Sequence, residues 1–168
     1  DQEIREKVKK GLGLISVDES STLPYFLELL SVKESGIDQI SMSPEAKKDR
    51  SIEACRKIVL KGSEVRPLVM AFEDLHWLDK SSEDVVRSHL DSIPGSRVLL
   101  IFTYRPEYVH TWGSKSYYRQ IGVDQLSLAS SAELVQSILQ GGEVMPEVRE
   151  LILTRATGNP LFMEEFTH

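Results

Sequence analysis

Two adjacent carboxylates, Glu73 and Asp74, follow directly on five consecutive apolar residues, Leu68 to Phe72. That run is too short for a free-standing helix. With Pro67 close in front and acids behind, it reads as a strand buried on both faces. Acids at the carboxyl end of a buried strand stand where open α/β sheets bind ligands, in the crevice outside the strand ends. There one carboxylate can help hold Mg²⁺ while its neighbour orients an attacking water, which is the division of labour phosphoryl transfer needs. A guanidinium, Arg105, follows a second apolar run, Val98 to Phe102. A cation about 4 Å from a phosphate contributes on the order of 4 kcal/mol at an effective dielectric near 20.

These groups converge only if the intervening chain forms a crossover. Ser81 with Asp84 three residues on resembles a capping box, and Val86, Leu90 and Ile93 mark one face of a helix that Pro94-Gly95 ends. Strand, helix and strand within about 35 residues make a βαβ unit, whose strands run parallel. Both strand tips then lie on one edge, which brings Glu73, Asp74 and Arg105 within reach of one ligand.

The remaining elements are read from periodicity. Ile4 and Val8 give a surface helix over residues 2–10, closed by Gly11 and Gly13. Ser21-Thr22 precede Leu23-Pro24 and a short helix carrying Phe26, Leu27 and Leu30. Residues 31–44 show no period and read as a polar loop. Ile52, Cys55, Ile58 and Val59 recur at helical spacing between Ser43-Pro44 and Gly62. Residues 106–120, which include Trp112, show no clear period. Val123 to Leu128 alternates and predicts a third strand. Ser130 with Glu133 predicts a cap for a helix bearing Leu134, Val135, Ile138 and Leu139 up to Gly141-Gly142, and two more helices begin near Pro146 and Pro160.

Composition narrows the function classes. A chain of 168 residues with ordinary apolar and charged fractions can bury one core. Its net charge of −6, without a clustered basic face, argues against direct nucleic-acid binding and against an anionic membrane surface. One cysteine, Cys55, cannot form an internal disulfide, which fits a reducing compartment, the cytoplasm. No run approaches a membrane span, and the start, with neither Met nor an apolar segment, is unlike a signal peptide and looks like a cut inside a longer protein.

The wording Phe72-Glu73-Asp74-Leu75-His76-Trp77-Leu78-Asp79 resembles the Walker B element of STAND-type P-loop NTPases, in particular the AAA-like ATPase modules of bacterial multidomain regulators and of proteins beside class III adenylate cyclases. Leu99 to Glu107 resembles that family's sensor 1 strand. Thr157 to Glu165 resembles its GxP-type signature. The three matches occur in order over residues 66–166, whereas residues 1–65 match loosely. The resemblance implies an α/β fold, a parallel-sheet core fragment with flanking helices: a helical lead-in over 1–65, a sheet core over 66–128 and C-terminal helices over 129–168. It implies a Mg²⁺-dependent ATP-binding and hydrolysing switch domain in signal transduction or transcriptional regulation, with other domains of the same polypeptide as partners. Glu73 would be the Mg²⁺ ligand, Asp74 the water-polarising group and Arg105 the γ-phosphate sensor. Gly158, Asn159 and Pro160 would touch the adenine side.

Two features depart from the family. The usual order of the acids is Asp then Glu, reversed here. The P-loop pattern Gly-x-x-x-x-Gly-Lys-Ser/Thr is absent from the sequence; Lys61-Gly62-Ser63 and Gly113-Ser114-Lys115-Ser116 both fail it. The expectation is therefore a C-terminal portion of an ATPase module, inactive alone, whose P-loop strand is encoded upstream. Without that strand, Val98–Phe102 would expose an apolar edge that pairs with Val123–Leu128 or with another copy. Other readings stay open from the residues themselves. The acids could cap a helix in a scaffold with a degenerate site. Glu73, His76 and Asp79 could hold a metal. Gly158-Asn159-Pro160 is by itself an ordinary helix stop, N-cap and first-turn proline.

Overall fold

Leu68–Phe72 and Val98–Phe102 form strands β1 and β2 of a computed structural model that describes every residue except 141, 143, 144 and 168. The strands are parallel, with Leu68 level with Val98 and Phe72 level with Phe102. A helix, α4 (Lys80–Ser92), makes the crossover. Among the described residues the sheet has these two strands alone, and the chain is α/β with helices predominating. It divides into two units, residues 1–117 and 118–168.

In the first unit, α1 (Gln2–Leu14) and α2 (Leu23–Leu29) pack Leu12, Val17, Leu23, Leu27 and Val32 into one core. Helix α1 does not close at Gly11 and Gly13 but runs through both. A helical glycine costs only about 1 kcal/mol relative to alanine, and Leu12 between them is buried. Residues 31–44 are more than a polar loop. Val32 and Ile37 are buried there, and Ile37–Gln39 forms a single 3₁₀ turn entered through Gly36, whose φ of 89° suits glycine. Tyr25, Ile37 and Ala54 form a second small core. Helix α3 (Pro44–Val65) is capped by Ser43, whose hydroxyl accepts the Ala46 N–H, and leads into β1.

The strands are not buried on both faces as their composition predicts. Burial alternates along each, and Val69, Leu99 and Ile101 are 65%, 56% and 44% exposed. The opposite face, with Phe72 and Phe102 rings 5.6 Å apart, is half-buried. A five-residue apolar run reports a strand meant for two covers but cannot report whether the second is supplied.

Val123–Leu128 is not a strand. Val123 is 93% exposed, Leu126 gives its N–H to the Gly158 carbonyl at 2.9 Å, and Leu128 already begins α5 (Leu128–Ile138). The cap of α5 is Ser127, accepting the Ser130 N–H, rather than Ser130. In the second unit α5, α6 (Pro146–Ala156) and α7 (Pro160–Thr167) surround Val135, Ile152, Ala156 and Met163. Of the predicted Gly141-Gly142 stop, Gly141 lies outside the described residues. No helix among the described residues is long and apolar enough to cross a membrane.

Candidate functional site

The acidic tip of β1 is built by a crossed set of bonds to Thr103. Thr103 N–H donates to Phe72 C=O at 3.0 Å, Asp74 N–H donates to the Thr103 hydroxyl at 3.1 Å, and Leu75 N–H donates to Thr103 C=O at 3.0 Å. Thr103 therefore ties the end of β1 to the end of β2. Arg105 follows two residues later, at most about 7 Å of extended chain. A second tie is conformational: Asp74 lies at φ 54°, ψ 46°, the left-handed region, where Asp and Asn are the non-glycine residues most at ease. From it a 3₁₀ turn, Leu75–Trp77, starts with Leu75 fully buried.

The segment after Arg105 is held by aromatic contacts that periodicity could not reveal. Tyr108 N–H donates to Arg105 C=O at 3.0 Å, closing a turn. The Tyr104 and Tyr108 rings are 5.6 Å apart, and His110 stacks on Trp112 at 5.0 Å with 12° between planes. Trp112, 2% exposed, also meets Phe102 at 6.0 Å. The signal was compositional: four aromatic or imidazole side chains within nine residues, 104–112, although at no fixed period.

Glu73, Asp74 and Arg105 are all exposed. Neither of two surface cavities includes them: one of 260 Å³ lies among α2, α3 and α4, and one of 170 Å³ lies beside Arg87 and Trp112. The three charges share an open sheet edge rather than a closed pocket. In that setting water screens them, and a unit charge pair at 4 Å is worth nearer 1 than 4 kcal/mol. The chemical capacity of the edge is weak, hydrated binding of a divalent cation and of anionic oxygen, strengthened by whatever excludes water from it.

Other residues singled out in the sequence fall elsewhere. Trp77 of the acidic segment is 77% exposed, with His76 edge-on to it at 5.8 Å. Asp79 caps α4, accepting the Ser82 N–H at 2.7 Å, so the helix starts before the Ser81–Asp84 box. Asp84 instead pairs with Lys48 of α3 at 2.7 Å. Among the described residues no three His, Cys, Asp or Glu side chains gather in a way that could hold a metal, so Glu73, His76 and Asp79 do not form such a group. A Mg²⁺ site at Glu73 would then rely on one or two carboxylates with water and phosphate oxygens. Cys55 is half-buried on α3, and burial pushes its thiol pKa up.

Within the second unit, Thr157 (φ 49°) and Gly158 (φ 81°) end α6 with two consecutive left-handed residues. The Asn159 carboxamide oxygen then accepts the Leu161 N–H at 3.0 Å, and Pro160 opens α7. Gly158 is buried against Leu126, whereas Pro160 is exposed. All three thus have a local structural task.

The caps and the α3–α4 pair set a pH dependence. The Ser82 N–H on Asp79 and the Lys48 ammonium on Asp84 hold both carboxyl pKa values below their ordinary 3.8, and Asp84 holds Lys48 above its ordinary 10.5. Carboxyl pKa values lowered on folding contribute stability that is present above about pH 4 and lost as pH falls through the lower folded values. A raised lysine contributes below about pH 10.5 and is lost above it. Urea midpoints should therefore be flat from pH 5 to 9 and fall below pH 4, and Asp84→Asn should flatten part of the acid limb.

No family model and no solved structure matches the chain. It is similar to an uncharacterized protein of Rhizobium meliloti (strain 1021), 26% identical over 154 residues, which are 89% of this chain and 15% of that protein's length.

Proposed function

We propose that these residues form the acidic-strand portion of a Mg²⁺-dependent ATP-binding switch domain in a multidomain signalling or transcriptional regulator. The observation that carries this reading is the parallel register of β1 and β2, with Thr103 binding the tip that bears Glu73 and Asp74 to the strand end that leads to Arg105. In the proposed mechanism Glu73 binds Mg²⁺, directly or through water, Asp74 polarises the attacking water, and Arg105 neutralises charge on the γ-phosphate. Gly158, Asn159 and Pro160 contribute on the adenine side. The phosphate cradle is not encoded in these 168 residues, so full affinity needs a Gly-Lys-Ser/Thr turn supplied from outside them. The exposed Val69, Leu99 and Ile101 support that view, because parallel sheets rarely leave a face to water. Similarity to a segment of a much longer protein is in keeping with it.

A second reading, a regulatory scaffold with a degenerate nucleotide site, is favoured by the missing cradle and the reversed order of the acids. Calorimetric titration of Mg-ATP into the polypeptide extended on its amino-terminal side separates the two. The switch reading expects micromolar affinity, weakened at least about tenfold, or 1.4 kcal/mol, by Asp74→Asn or Arg105→Ala. Absence of any binding heat supports the scaffold.

A further inference from the structure

The 170 Å³ cavity of the first unit lies between α4 and the segment 111–117. Arg87, Leu90 and Asp91 recur at i, i+3 and i+4, so they share one face of the helix. Together with Thr111, Trp112 and Lys115 they line the cavity. Two bonds fix the wall opposite the helix: Lys115 Nζ pairs with Asp91 at 2.8 Å, and the Tyr117 hydroxyl donates to the Leu90 carbonyl at 2.8 Å. The Lys115 N–H closes that wall's own turn on the Trp112 carbonyl at 3.1 Å.

The lining carries both signs of charge, each with bonding capacity to spare. Lys115 occupies Oδ1 of Asp91 and leaves Oδ2 open, and Glu83 occupies one nitrogen of Arg87 at 3.0 Å and leaves the rest of the guanidinium fork open. Trp112 is 2% exposed, yet its indole N–H finds no acceptor among the described residues. A buried donor without an acceptor is costly, so one supplied from outside the chain is favoured there. A simple anion in this cavity is opposed by Asp91, and a simple cation by Arg87 and Lys115. A zwitterion satisfies both: its carboxylate takes the Arg87 fork and the indole N–H, and its ammonium takes Asp91 Oδ2. Leu90 and Trp112 leave apolar surface for a short aliphatic group. At about 30 Å³ per water in the liquid, the cavity equals roughly six waters, which is the scale of a single amino acid. We propose that this cavity binds a free α-amino acid with a short aliphatic side chain. The inference stands apart from the nucleotide reading, since it uses no residue of the acidic edge.

NMR titration of the 168-residue chain with L-valine tests it, followed on the indole N–H signals of its two tryptophans. Trp77→Phe, at an exposed position, assigns them. The Trp112 signal should move saturably with millimolar affinity while that of Trp77 stays in place. Isovalerate lacks the ammonium, isobutylamine lacks the carboxylate, and inorganic phosphate is an anion alone; each should bind at least about tenfold more weakly than L-valine. Arg87→Gln and Asp91→Asn should each weaken L-valine by at least about tenfold, with circular dichroism checking that the variants fold. Asp91 also anchors Lys115, so Arg87→Gln, which alters an exposed end of α4's side chain alone, is the deciding variant. No saturable movement of the Trp112 signal, both indole signals moving alike, isovalerate or phosphate binding as tightly as L-valine, or unchanged affinity in Arg87→Gln would overturn the assignment.

Discussion

Gly158→Val should unfold the three-helix unit of α5, α6 and α7 at temperatures where the unsubstituted chain is folded. A Cβ at this position would lie 2.7 Å from the Leu126 carbonyl oxygen and 2.9 Å from the Gln125 Cβ. The first contact is with backbone, so no rotamer change relieves it. The left-handed φ of 81° costs a side chain roughly 1–2 kcal/mol by itself. Moving the chains apart breaks the bond from Leu126 N–H to Gly158 C=O, worth about 1 kcal/mol. With the steric strain, the total reaches roughly 3–5 kcal/mol, and Gly158→Ala should already show most of it. Thermal melting followed by circular dichroism, with amide exchange in α5 and α7, is the measurement. A melting curve unchanged for the valine variant would mean that the α6–α7 turn is not held as described.

The second large effect is expected at the base of the acidic tip. Leu75 has no exposed surface, and truncation of such a side chain to alanine costs about 2–5 kcal/mol through lost burial and the cavity left behind. Leu75 also carries the N–H that grips Thr103 C=O, so loss of its anchor should loosen the tie between the two strand ends. Urea denaturation should show a midpoint lowered in proportion. Exchange of the Asp74 and Leu75 amides should accelerate more than that of β1 itself. A Leu75→Ala protein as stable as the original would show that the turn after Asp74 hangs free of the core.

The two strands, the crossover helix, and the two helices opened by Pro146 and Pro160 were legible because apolar runs, helical spacing and punctuation agreed there. The exposed face of the sheet was not, since Val69 and Leu99 look alike whether or not something covers them. The third strand failed at Val123–Leu128 because a period-2 pattern of so few residues is easily imitated by an extended connector, here fixed by one bond to Gly158. Caps were misjudged by two or three residues because serine and aspartate recur at each boundary: Asp79 before Ser81, Ser127 before Ser130. Within the candidate site the acids and Arg105 could be read as strand-end residues. Thr103, whose hydroxyl takes the Asp74 N–H, could not, because a threonine after a strand carries no distinctive signal. The left-handed backbone at Asp74 was equally silent, and it bears on how the site is probed. Alanine there would add backbone strain, so Asp74→Asn is the substitution that isolates the charge.

The claim on which the account turns is that Glu73, Asp74 and the strand end before Arg105 make one surface for a metal–nucleotide complex. Paramagnetic broadening of backbone amides by Mn²⁺-ATP tests it most directly, because the ion marks its own location even when binding is weak. The account predicts that the amides of residues 73–75 and 103–105 broaden together, that they do so far less with Mn²⁺ alone, and that Asp74→Asn or Glu73→Gln suppresses the effect. Broadening scattered over other acidic surfaces, or confined to one strand end without the other, would contradict it.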